Sequence, residues 1–234
     1  MSIRKEIYLE LRKKYGDVAS WAIWSKPVKA PKDRVGDLSI FDSPDLLKQL
    51  TGEYMFVALC GSGVHEKFID RSIAWWNFHS SNPNGQDYKL RDATVGTPTE
   101  GGYITDFIKY HDELDAKKAV KFVETHPELL HKNIDALYEE IDLLGMPILI
   151  ALGNDSYNLI KKYLPGYSAV FKIHHYAATV REGQMKEEIL SGIKQIKQII
   201  KTNTERFVWH AGDTTLTVDG KKGRFVNGVF VELP

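Results

Sequence analysis

Apolar residues fall into short continuous runs separated by longer amphipathic stretches. YMFVALC (54–60) and MPILIAL (146–152) carry no polar alternation and read as buried strands, with YITDFI (103–108) and SAVFKIHHY (168–176) as two more. Between them lie helical patterns. The first has apolar Ile3, Ile7, Leu9 and Leu11, with Ser2 as its cap and Gly16 as its stop. SPDLLKQL (43–50) is a short helix capped by Ser43, with Pro44 at its first position. Residues 115–144 are helical with a break at Pro127, and DSYNLIKKYL (155–164) and KEEILSGIKQIKQII (186–200) follow. SWAIW (20–24) reads as a short strand or an aromatic plug, and IAWWNF (73–78) is an apolar stretch with aromatics at helical spacing. Residues 25–37 are a loop, and the polar, turn-rich segment 80–102 reads as a long surface loop.

The tail changes period. TLTVDG, GRFVNG and VFVEL alternate apolar and polar residues around Asp219-Gly220 and Asn227-Gly228, a hairpin pattern. Strands interleaved with helices predict an α/β domain over residues 1–205 with a mostly parallel sheet, and a β-hairpin tail over 206–234 packed on it.

Composition narrows the function classes. Lys plus Arg and Asp plus Glu both number 31, so no global basic field draws in nucleic acid, although a local one over Lys89, Arg91, Lys109, Lys161, Lys162 and Lys172 fits the sequence. A single cysteine excludes an intramolecular disulfide, a four-cysteine zinc site and a cysteine-ligated iron–sulfur cluster. No cofactor and no metal site is expected. With no signal core and no run of about 18 apolar residues, the expectation is a cytoplasmic protein without a membrane partner.

In open parallel sheets ligands bind beyond the C-terminal strand ends. There the sequence places Cys60-Gly61-Ser62-Gly63, Thr105-Asp106, Gly153-Asn154-Asp155 and His174-His175-Tyr176. VALCGSGVHE, GGYITDFIK, PILIALGNDSYNLI and FKIHHYA, in that order, resemble the motifs of the uracil-DNA glycosylase superfamily over roughly residues 40–200. The resemblance implies a three-layer α/β/α sandwich with a short sheet and a nucleobase-sized pocket.

It also implies roles. His175 matches the histidine that hydrogen-bonds the departing base, and Glu66 matches a second acid of the first motif. Cys60 stands where the family carries the polar residue that prepares the attacking water, a task that a neutral thiol performs poorly. Gly61, Ser62, Gly63, Phe78, Asp106 and Tyr176 would bind the substrate, with Phe78 where the family stacks an aromatic on the base and His79 beside it. Asp106 replaces the asparagine that reads uracil; an ionised carboxylate accepts only, so it suits an amino-bearing base. The expected function is therefore a nucleic-acid or nucleotide-related protein with altered or lost uracil excision. The alternatives are a DNA glycosylase for a modified or mismatched base, and a non-enzymatic interaction module that self-associates through its β tail.

Overall fold

The computed structural model describes residues 2–62, 73–202, 216–218, 221–226 and 229–232. The chain runs α1 (Lys5–Tyr15), β1 (Ala19–Trp21), a 3-10 turn (Leu38–Asp42), α2 (Leu46–Gln49), β2 (Thr51–Cys60), α3 (Asp87–Thr94), β3 (Gly102–Ile108), α4 (Ala116–Glu124), α5 (Pro127–Leu144), β4 (Ile148–Leu152), α6 (Asn154–Tyr163), β5 (Val170–Ile173) and α7 (Gln184–Thr202). Then come β6 (Leu216–Val218), β7 (Lys221–Val226) and β8 (Val229–Glu232).

The main sheet has the order β1-β3-β2-β4-β5. β2 pairs in parallel with β3 and β4, and β4 with β5, while the short edge strand β1 pairs antiparallel with β3. The sheet is thus mixed, and SWAIW contributes its N-terminal part to that edge. The tail strands form a separate three-stranded antiparallel sheet. The Asp219-Gly220 and Asn227-Gly228 turns lie outside the described residues.

Side-chain alternation along the strands feeds two cores. Met55, Val57, Tyr103, Phe107, Leu149 and Ala151 face one way, against Leu11 of α1, Leu137 and Ile141 of α5 and Ile160 of α6. Tyr54, Phe56, Ile104, Ile148, Ile150 and Leu152 face the other way, against Leu90 and Ala93 of α3 and Met185, Ile189 and Ile193 of α7. Helices therefore cover both faces, an α/β architecture of three layers.

Several local expectations need correction. The segment 80–102 is not all loop: its middle is α3, whose Leu90, Arg91, Ala93 and Thr94 are buried. The flanking Asn, Pro and Gly residues hid an eight-residue helix that packs on α7. Trp75 and Phe78 are not on a helix. They hold left-handed φ values of 71° and 63°, which bend the segment so that the Trp75 ring enters the core between Tyr8, Trp21 and Tyr103. Ser2 does not cap α1; Arg4 occupies that position without a side-chain bond, and Ser2 bridges to Thr51. The cap position of α2 is Asp45, two residues later than Ser43, so Pro44 precedes the helix.

Candidate functional site

A cleft of about 610 Å³ opens at the C-terminal ends of β2 to β5. Four of its walls come from strand ends: Cys60, Gly61 and Ser62 after β2, Asp106 on β3, Gly153 to Ser156 where β4 turns into α6, and His175 and Tyr176 after β5. The fifth wall is the segment from Trp76 to Phe78 together with Asn84 to Asp87 at the start of α3. The loop Asp112–Leu114 completes the entrance.

Asp106 lies inside β3, beside Ala58 of β2, and shares the parity of Ile104. It is 4% exposed. Its Oδ2 accepts a 2.9 Å hydrogen bond from Asn77 Nδ2, and among the described residues its Oδ1 accepts none. Burial pushes the Asp106 carboxyl up to about 7, against the opposing pull of Asn77 and Lys109. Asn77 is fully engaged: Nδ2 also donates to the Val18 carbonyl at 2.8 Å, and Oδ1 accepts from the Phe78 N–H at 3.0 Å. Asn77 therefore fixes Asp106 to the segment entering β1. Sequence reading passed over it, although it is the only amide within an otherwise apolar run, and that contrast was the available signal.

Behind Asp106 sits a closed polar network. Lys109 Nζ lies 2.9 Å from Glu140 Oε2, both side chains fully buried, and donates to the Asp106 carbonyl at 2.6 Å. Glu140 Oε1 accepts from Tyr103 Oη and Thr105 Oγ1, each at 2.9 Å. Burial raises the Glu140 carboxyl and the Lys109 ammonium opposes the rise.

His175 is half-buried. Its Nδ1 accepts from the Ala177 N–H at 3.1 Å, which leaves the proton of the neutral ring on Nε2. Burial lowers its pKa to about 4, so the ring is neutral at pH 7. It stacks on Tyr176 at 4.3 Å, and Tyr176 meets Phe78 edge-on at 6.4 Å. His174 points away, into a 2.7 Å contact with Glu188 of α7. His79 belongs to the core: its Nε2 lies 2.9 Å from the Ile23 carbonyl and its Nδ1 2.9 Å from the Asn77 carbonyl, and its ring stacks on Trp24.

Cys60 donates from Sγ to the Glu113 carbonyl at 3.3 Å, and burial with the nearby Asp106 carboxylate pushes its thiol up to about 12. It is a protonated donor at neutral pH rather than a thiolate. Gly61 packs against the entrance loop. Its carbonyl accepts from the Glu113 N–H at 2.9 Å, and a Cβ on it would fall 2.4 Å from Asp112 Oδ1. Gly153 has φ 92° and ψ 176°, a region restricted to glycine, and this sharp corner starts α6 at the cleft wall. Gly63 and Glu66 lie outside the described residues.

Three of the six cations of the expected basic face are committed elsewhere. Arg91 is buried and donates to the carbonyls of Pro31 and Asp33. Lys109 is sealed against Glu140, and Lys162 pairs with Glu124. Among the described residues no group of three or more His, Cys, Asp or Glu could hold a metal ion. No described helix is long and apolar enough to cross a membrane.

The arrangement offers one raised carboxyl, one neutral imidazole with an Nε2 donor, and aromatic walls, enough to grip a planar polar heterocycle. In comparisons with family models, curated proteins and solved structures, nothing matches the chain.

Proposed function

We propose that the chain is a uracil-DNA glycosylase-like protein whose cleft receives a nucleobase and which has lost or altered uracil excision. The observation that carries this reading is the meeting of Asp106, His175, Phe78, Tyr176 and Cys60 in one cleft at the strand ends, in the motif order that suggested the superfamily. The volume of about 610 Å³ falls in the range of small-molecule sites and suits a base with its sugar. His175 would donate from Nε2 to a carbonyl or ring nitrogen of the base, and Phe78 and Tyr176 would bound its faces. The thiol at position 60 supplies no negative charge to a developing oxocarbenium ion, which argues against the family's usual cleavage.

The test has two arms. The first expects no alkali-cleavable product from uracil-containing single- or double-stranded DNA; turnover at ~1 s⁻¹ or faster would overturn the loss of uracil excision. The second compares wild type with Asp106→Asn against cytidine and uridine at pH 8.5, where the carboxylate form of Asp106 predominates. The variant should lose affinity for cytidine and gain it for uridine, by about 1–3 kcal/mol of discrimination in all. Equal affinities in all four combinations would mean that Asp106 reads no base.

A second reading, excision of a modified or mismatched base, draws on the same carboxyl. A pKa of about 7 is the value a general base needs at neutral pH, so Asp106 could take a proton from an attacking water. Release of free base from alkylated or mismatched DNA would favour it.

A further inference from the structure

We propose that the cleft takes a heterocyclic base or nucleoside that carries positive charge and no phosphate, and turns away nucleotides and polynucleotides. The proposal rests on the base-pocket reading above and adds the charge class of the ligand. Asp87, Asp106, Asp112, Glu113 and Asp155 all line the cleft, and the described lining residues include no Lys or Arg. Among the described cations, Lys109 is paired with Glu140 and Arg91 is buried against backbone carbonyls, while Lys172 stands behind the rim residue Asn154, its Nζ 2.6 Å from Oδ1.

A second observation points inward. Asp106 is almost wholly buried, yet it lines the cavity, and only its Oδ2 has a hydrogen-bond donor among the described residues. A protonated ring N–H or an amino group would satisfy Oδ1. The aromatic walls would face the delocalised cation through their π electrons.

A phosphate attached to the sugar would meet the opposite situation. Asp155 is exposed and Glu113 half-buried, so both carboxylates stand where a sugar substituent would emerge. At a separation of ~8 Å in water, each repels a unit phosphate charge enough to cost roughly twofold in affinity. A phosphate bearing close to two charges beside these two carboxylates should lose roughly tenfold once salt screening is included.

Calorimetry at pH 7.5 would compare 1-methyladenosine, adenosine, adenosine 5′-monophosphate and a short deoxyadenosine single strand, at 50 and 300 mM salt. The expected order is the order given, with about tenfold between adenosine and its monophosphate. Salt should weaken 1-methyladenosine and strengthen the monophosphate. The Glu113→Gln/Asp155→Asn double variant should close most of the gap between adenosine and its monophosphate. The proposal is overturned if the monophosphate or the single strand binds as tightly as adenosine. In that case the base pocket stands and only the charge class falls. If no member of the panel binds, both fall together.

Discussion

Asp106→Asn should stabilise the folded protein, and by an amount that grows with pH. Asp106 holds its proton to about 7 in the fold but releases it near 3.8 when exposed. Between those values the unfolded chain gains a solvated carboxylate that the folded chain does not, so stability drains away as pH rises from about 4 to 7 and stays low above it. A shift of about three units corresponds to roughly 4 kcal/mol at most, of which roughly 2–3 kcal/mol accrues between pH 5 and pH 8. Asparagine removes the titration while keeping the shape. Its Oδ1 can face Asn77 Nδ2, preserving that 2.9 Å bond, and its amide nitrogen then faces the cleft. Urea denaturation of wild type and variant at pH 5 and pH 8 measures the difference directly. The variant should gain at least about 1 kcal/mol on wild type between the two pH values, even if relaxation around the buried carboxyl halves the ceiling. A difference that does not change with pH would refute the raised carboxyl, and with it any acid–base role for Asp106.

Two further outcomes follow from the same geometry. Lys109→Met should cost about 3–5 kcal/mol in urea denaturation because it strands the Glu140 carboxylate in the core, and Lys109→Met/Glu140→Gln should recover much of that; a single variant within ~1 kcal/mol of wild type would contradict a buried ion pair. Cys60, the only cysteine, should react with iodoacetamide at pH 8 at least about a hundredfold more slowly than a free thiol, as read by intact mass, and parity with glutathione would show the thiol to be exposed and ionisable.

The strand and helix order was legible because each buried strand is a continuous apolar run and each long helix repeats its apolar face. YMFVALC and MPILIAL became the sheet centre, and the break at Pro127 separates α4 from α5. The convergence of Cys60, Asp106 and His175 on one cleft followed from the rule that ligands sit at strand ends. What escaped was set by tertiary contact. α3 is polar enough to pass for loop and is helical because Leu90 and Ala93 pack on the α7 side of the sheet. The removal of two cations from the expected basic face has the same origin: Arg91 and Lys109 look like surface cations in the sequence, but the carbonyls of the 25–37 loop and Glu140 of α5 draw them inside. Asn77 escaped because its three partners, Val18, Asp106 and Phe78, are brought together only by the fold.

The antiparallel edge has a consequence for the order of events during synthesis. β1 begins at Ala19, but its partner β3 begins at Gly102, about 80 residues later. At ~5–20 residues per second, the apolar segment ASWAIW waits several seconds on the ribosome before the strand that covers its backbone exists. The Val18 carbonyl that anchors Asn77 stands at the entrance to that strand, so the tie on Asp106 cannot close until β1 has docked. The cleft is thus a late product of folding, and the segment that helps to orient its buried acid is translated well before the strand that carries that acid.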